Sequence, residues 1–156
     1  MTVLSPADIE TFRLRGLEHQ TLANLTRGTY TMEVWRQTLA SGAVAPWHRH
    51  SCEEVVVILS GQGEFRTPGR AESFGPNATL IVESDAVHQL ANTGDEPLEL
   101  LAVMGMTPVT VLDAAGHLLE LPWDTPLPAR AIDTLGDGPS GGAIRSCSDT
   151  LKDEYK

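Results

Sequence analysis

The chain has 156 residues, 41% of them hydrophobic and 21% charged, with a formal charge of −10 at pH 7. That balance is globular, which excludes a disordered chain and allows one domain with a substantial core. The acidity excludes the positive patch that nucleic acid or an anionic membrane surface requires, and no apolar run approaches the ~20 residues of a membrane span.

Residues 1–28 read as an N-terminal arm. Ser5-Pro6-Ala7-Asp8 has the order of a short helix start, with Ser5 as N-cap and Pro6 at the first helical position. Met1 to Glu10 lack the basic, apolar and small-residue order of a signal peptide. Two cysteines, Cys52 and Cys147, make no disulfide framework, so a cytoplasmic protein with free thiols is expected.

From Thr29 the chain changes to short apolar or alternating runs separated by Gly, Pro, Asn and Asp. The spacing predicts strands over 29–39, 53–59, 63–66, 78–82, 86–92, 98–104, 109–112 and 118–121. A 3.6-residue period is never sustained beyond ten residues, so an all-β sandwich or barrel over 29–122 is expected in place of βαβ units. Val55 to Leu59 is apolar at every position. One face of such a strand meets the interior, and the other needs a second sheet, the arm or a partner subunit; a homodimer is the expectation drawn from it. Residues 123–156 lose the pattern, and prolines and glycines make them an extended, mobile C-terminal tail.

Five histidines occur: His19, His48, His50, His88 and His117. On a strand, His48 and His50 point to the same face and can converge on one ion. Glu53 and Glu54 follow, and because both faces of the next strand are apolar, parity does not choose between them. The spacing Gly42, five residues, His48, one residue, His50, three residues, Glu54, six residues, Gly61 reproduces the first cupin motif at each fixed position. His88-Gln89-Leu90-Ala91-Asn92 matches the end of the second, while its usual Pro-x-Gly is replaced by Glu83-Ser84-Asp85. Its earlier Gly is matched only loosely, by Gly75 or Asn77.

The chain therefore resembles a small single-domain cupin, over about residues 29–121. The resemblance implies a double-stranded β-helix, or jelly-roll barrel. It implies His48, His50, Glu54 and His88 as ligands of one divalent metal, and Asn92 as structural. Three imidazoles and a carboxylate suit first-row ions: iron is placed first, with manganese, nickel, zinc or copper as alternatives. The function expected is a metalloenzyme of the non-haem dioxygenase type acting on a small organic substrate. The alternatives are a non-redox isomerase, lyase or cyclase, with Glu83, Asp85 or Tyr30 as acid or base, and a small-molecule-binding cupin without catalysis.

The remaining residues receive plainer roles. His19 and His117 are read as buried, satisfied core residues. Trp35, Trp47 and Trp123 are read as packing residues before pocket-lining ones, and Arg49 points away from the metal by parity. Cys52 is a free, partly buried thiol. Met32, Val34, Val56, Ile58, Leu90 and Met104 are the expected cavity wall.

Overall fold

The computed structural model describes residues 1–124; the rest of the expected tail, with Cys147, lies outside the described residues. After a 3₁₀ turn at Pro6–Asp8, capped by Ser5, the strands run β1 (Phe12–Leu14), β2 (Leu17–Ala23), β3 (Glu33–Leu39), β4 (His48–His50), β5 (Glu54–Ser60), β6 (Gly63–Thr67), β7 (Arg70–Phe74), β8 (Thr79–Val82), β9 (Gln89–Asn92), β10 (Leu98–Met104) and β11 (Val111–Asp113). One antiparallel sheet has the order β1-β2-β3-β10-β5-β8, a second β7-β6-β9, and β4 pairs with β11. This is the jelly-roll barrel expected from the sequence. Among the described residues no helix is long and apolar enough to cross a membrane.

The core follows from alternation. On β10, Leu98, Leu100, Ala102 and Met104 are buried while Glu99, Leu101 and Val103 lie on the other face. Its partner β5 turns Glu54, Val56 and Ile58 inward, and β3 turns in Glu33, Trp35 and Leu39. Leu90 of β9 and Val111 of β11 complete the buried cluster. Each fully buried Leu or Ile contributes on the order of 1.5–3 kcal/mol. Gly61 makes the turn after β5 at φ 83°, where a Cβ would stand 2.6 Å from the Pro97 carbonyl oxygen, so only glycine fits.

Part of the expected arm, Phe12 to Ala23, is instead a hairpin that extends the large sheet through β2–β3 pairing. Arg15 at φ 48° and Gly16 at φ 82° make its tight turn. The inward positions of β2 include His19 and Thr21, polar residues that hide the strand's alternation. The strand expected over 29–39 begins only at Glu33, and 118–121 contributes one isolated bridge, Leu112 to Leu118. β7 carries no strand signal in the sequence because Arg70-Ala71-Glu72-Ser73 is exposed on both faces at a sheet edge.

Asn92 ties the end of β9, opposite Gly63, to the end of the large sheet that is far from Glu54. Its amide donates to the carbonyls of Leu39 at 2.9 Å and Glu96 at 2.8 Å, and its side-chain oxygen accepts from the Gly94 N–H at 2.9 Å. Asn92→Ala strips three side-chain bonds, two of them buried, and is expected to cost about 1–3 kcal/mol, read as a lowered urea midpoint with an unchanged slope.

Candidate metal centre

The two motif segments meet through the backbone. His48 N–H donates to the His88 carbonyl at 3.0 Å, and His88 N–H returns a bond to the His48 carbonyl at 2.8 Å. This bridge sets the two histidines directly opposite each other. His50 lies two residues along β4, on the same face, and β4 is fixed on its other side by β11, with His50 opposite Val111. The turn before His88 is made at Asp85, φ 62°, whose N–H donates to the His50 carbonyl at 2.7 Å. It replaces the absent Pro-x-Gly. Glu54 enters from the start of β5, buried, while Glu53 is exposed. Burial thus decides what parity left open.

The imidazoles are arranged as acceptors. The carbonyl of Pro46 takes the Nδ1 proton of His48 at 2.8 Å, and that of Ala86 takes the Nδ1 proton of His88 at 2.9 Å. Each Nε2 then carries a bare lone pair. Potential ligand atoms of His48, His50 and His88 all lie within 4.8 Å of one another, and together these residues could hold a metal ion. Glu54 Oε2 stands 3.1 Å from His88 Nε2 and 3.7 Å from His50 Nε2. Those three atoms are buried and none has a hydrogen-bond partner. Acceptors facing acceptors in a buried site repel unless a cation sits among them, so the residues fit a divalent ion.

The titrations agree. Burial, then the neighbouring His88 and His50, push His48 down to about 4. Burial also lowers His50. For Glu54 burial pushes the carboxyl up, but the facing imidazoles of His88, His50 and His48 outweigh it and keep the group ionised. Neutral rings and an ionised carboxylate are the forms that bind a metal.

Beside His48 and His50 lies a cavity of about 70 Å³. Its apolar wall comes from Leu14, Leu17, Trp35, Val111, Leu121 and Trp123. None of Met32, Val34, Val56, Ile58, Leu90 and Met104, the wall expected from the sequence, lines it. Val56, Ile58, Leu90 and Met104 pack in the core, Met32 is exposed, and Val34 is half-buried on the face of β3 opposite Trp35.

A family model for auxin-binding proteins matches residues 3–119, three-quarters of the chain. The chain belongs to the auxin-binding protein family. Its fold is also that of cupin-domain proteins among its structural neighbours. Auxin-binding protein T85 of Nicotiana tabacum is 40% identical over 114 residues, 65% of this chain and 61% of that protein. Auxin-binding protein 1 of Arabidopsis thaliana is 37% identical, over 62% of this chain and 54% of its own length. The chain thus spans little more than half the length of these relatives. The polyketide cyclase RemF from Streptomyces resistomycificus superposes with TM-score 0.62 at 19% identity, covering 80% of this chain and 89% of that one. An oxalate decarboxylase from Lactobacillus farciminis gives TM-score 0.63 at 17% identity, over 69% of this chain and 34% of its own. At those identities the likeness is one of fold.

Several residues differ from their expected roles. Trp35 and Trp123 line the cavity as well as packing, because β3 turns Trp35 inward and the chain after β11 folds back over the opening. Trp47 is 38% exposed, since it takes the face of the chain opposite His48. His117 is no core residue: its side chain is 80% exposed on the turn after β11 and contacts Asp113 at 3.1 Å. Tyr30, Glu83 and Asp85, the candidate acids or bases, are all exposed and away from the cavity lining. Cys52 is free and half-buried, as expected. Burial pushes its thiol up to about 11.

Glu33 was not singled out in the sequence, and His19 is the buried, hydrogen-bonded core residue expected there. Glu33 is buried on β3; its carboxylate accepts the Trp35 indole N–H at 2.9 Å and the Thr107 hydroxyl at 3.0 Å. His19 bonds to Thr21 and Gln37 and stacks on Trp123. The Glu33, Trp35, Gln37 alternation on β3 was legible; the pairing of β3 with β2, from Leu39 to Val34, was not.

Burial holds His19 down at about 3. Between their folded values and 6.5, His19 and His48 bind protons only when the chain unfolds. Stability of the metal-free protein therefore falls as pH drops from about 6.5 towards 4, by up to ~1.4 kcal/mol per pH unit for each group. Urea unfolding of chelator-treated protein at pH 7, 6 and 5 reads this. A His19→Phe variant loses the share of His19, and a midpoint flat across that range contradicts it.

Proposed function

We propose that the chain binds one divalent first-row metal through His48, His50, Glu54 and His88, and that the metal carries the carboxylate of a small organic acid against the apolar wall. One observation carries this: unpartnered imidazole nitrogens and a carboxylate lie beside a cavity lined by Trp35, Leu17, Leu121 and Trp123, with no Lys or Arg among its lining residues. A carboxylate entering such a cavity needs a positive group, and only a metal supplies it. A divalent ion against the single charge of Glu54 leaves a net positive site. The relatives support the same class of ligand, since auxin and oxalate are both carboxylic acids. An oxalate-binding protein of Thermotoga maritima is 33% identical over 70 residues, 44% of this chain and 58% of that protein.

When bound, the metal supplies Lewis acidity, and with a redox-active ion also electron transfer. The chain's own residues hold the ligand rings in one tautomer through Pro46 and Ala86, exclude water with the tryptophans, and keep Glu54 ionised. If the site turns over, the non-haem dioxygenase class expected from the sequence is favoured over an isomerase, lyase or cyclase. The observation that favours it is the lack of any acid or base besides histidine among the cavity-lining residues. Iron is the ion that this reading requires.

The barrel acts as a homodimer in this proposal. Val55, Val57, Leu101 and Val103 lie side by side on the outer face of the large sheet, next to Ile81, which is 74% exposed. A second copy would cover them, and light scattering should report twice the chain mass, reverting to one chain in Ile81→Lys.

Calorimetry with acetate or oxalate should show binding to the metal-loaded protein and none after chelation. His48→Ala should lower metal affinity at least ~10-fold, since removing even an outer-shell partner costs roughly 10–100-fold. Equal carboxylate binding with and without metal would sink the proposal. Oxygen uptake by the iron-loaded protein with small diketones, phenols or thiols tests turnover, and no uptake on any of them leaves a binding protein.

A further inference from the structure

The three imidazoles of the metal centre are not held alike. His48 and His88 each give the Nδ1 proton to a carbonyl, of Pro46 and of Ala86. His50 has no such bond: both of its ring nitrogens are buried without a hydrogen-bond partner. The Thr110 carbonyl lies nearby without accepting in hydrogen-bond geometry. The ring torsion of a histidine is broad and roughly twofold, so a ring without a hydrogen bond can present either nitrogen to the site. What holds His50, among the described residues, is ring contact. Its neighbours are His48 at 5.0 Å, His88 at 5.6 Å and Trp35 at 6.1 Å, the last edge-on at 77°. The first two belong to the ligand set, and Trp35 is the contact from outside it.

Trp35 is fixed by a device of its own. Its indole N–H donates to Glu33 Oε2 at 2.9 Å. Glu33 Oε1 accepts the Thr107 hydroxyl at 3.0 Å, and the oxygen of that hydroxyl accepts the Leu25 N–H at 3.0 Å. The carboxylate is thus tied to the segment after β10 and to the turn before β3, and it cannot swing away from the indole. Glu33 is 3% exposed and Trp35 is 5% exposed. A neutral acceptor would satisfy an indole N–H as well, so a desolvated carboxylate is an expensive way to do it. Glu33 is not a lining residue of the cavity, and it faces Glu54 only across Met104, two strands or about 9.5 Å away. It is therefore neither ligand nor wall.

We propose that Glu33 is a positioning residue of the metal centre: by clamping the Trp35 indole it holds the edge of that ring against His50, and so keeps His50 Nε2 turned towards Glu54. The inference rests on the metal-binding reading above. In the structure that nitrogen stands 3.7 Å from Glu54 Oε2. An edge-on aromatic pair at this distance is a favourable contact, and it is directional only while the indole itself cannot turn. Glu33 makes it so.

The test uses the full chain. Zinc affinity is read by competition with a chromophoric chelator, and ligand geometry by the visible bands of the cobalt-loaded protein. Glu33→Ala should raise the zinc dissociation constant roughly three- to tenfold, the worth of one aromatic pair, and shift the cobalt bands. Glu33→Gln keeps an oxygen for the indole N–H, and should keep the wild-type bands and most of the affinity. In a Trp35→Phe background that N–H is gone, so Glu33→Ala there should change the constant less than about twofold. A merely structural Glu33 would lower the urea midpoint and leave the cobalt bands of the folded protein in place, which overturns the proposal. A loss in Glu33→Gln equal to that in Glu33→Ala makes charge the cause and overturns it too, as does an equal loss with and without the Trp35 N–H. If Glu33→Ala does not fold, Thr107→Val frees one carboxylate oxygen and should also shift the bands; unshifted bands then count against the clamp. Wild type that binds neither zinc nor cobalt brings down the metal reading and this inference with it, whereas metal binding that is indifferent to Glu33 brings down the inference alone.

Discussion

The site depends on one pair of backbone hydrogen bonds, exchanged between His48 and His88. The two residues are 40 apart in the chain, yet the exchange fixes their Cα atoms opposite each other as strictly as a strand ladder. Side-chain placement then follows from the two-residue period of β4, which brings His50 onto the same face as His48. Pro46 and Ala86 act in parallel. Each offers a carbonyl to the Nδ1 of the histidine two residues on, so the same local turn that brings in the ring also sets its tautomer. Backbone geometry thus determines both where the nitrogens are and which of them has a free lone pair.

The cost of this arrangement is visible on the strands that carry it. β5 uses its first inward position for Glu54 and the next two for Val56 and Ile58. A buried carboxylate oxygen without a hydrogen-bond partner destabilises the barrel unless something positive joins it. β3 shows a milder form of the same conflict. Its buried Glu33 is satisfied by the Trp35 indole and Thr107, so that carboxylate has its full set of protein donors and serves to orient a wall. Two buried carboxylates in one barrel are therefore distinguished by their partners: donors surround Glu33, and acceptors surround Glu54. Local rules broken in this way, on strands that otherwise obey them, mark a functional site.

What could be read from the sequence followed the same division. The ligand segments were legible because Gly42, His48, His50, Glu54 and Gly61 stand in a fixed register that backbone geometry demands. Strand β10 was legible to the residue because Leu98, Leu100, Ala102 and Met104 alternate with residues of the opposite face. The β1–β2 hairpin was not, because His19 and Thr21 occupy inward positions and satisfy each other there, which local hydropathy reports as a polar segment. The cavity wall was misplaced for a related reason. Its apolar residues come from five separate segments, and neither the inward parity of Trp35 nor the return of Trp123 over the barrel mouth is a property of any one of them.

The resulting pocket has a constant part and a variable part. The constant part is the four polar side chains, whose positions are set by ladders that close the barrel and cannot shift without opening it. The variable part is the wall after β11, which the single Leu112–Leu118 bridge, a turn at Leu121–Asp124 and the stack of Trp123 on His19 hold in place of a full ladder. The two tryptophans of the cavity differ in the same way: Trp35 donates its indole N–H to Glu33, whereas the indole N–H of Trp123 is buried without a partner, so only one of the two rings is fixed by a directional bond.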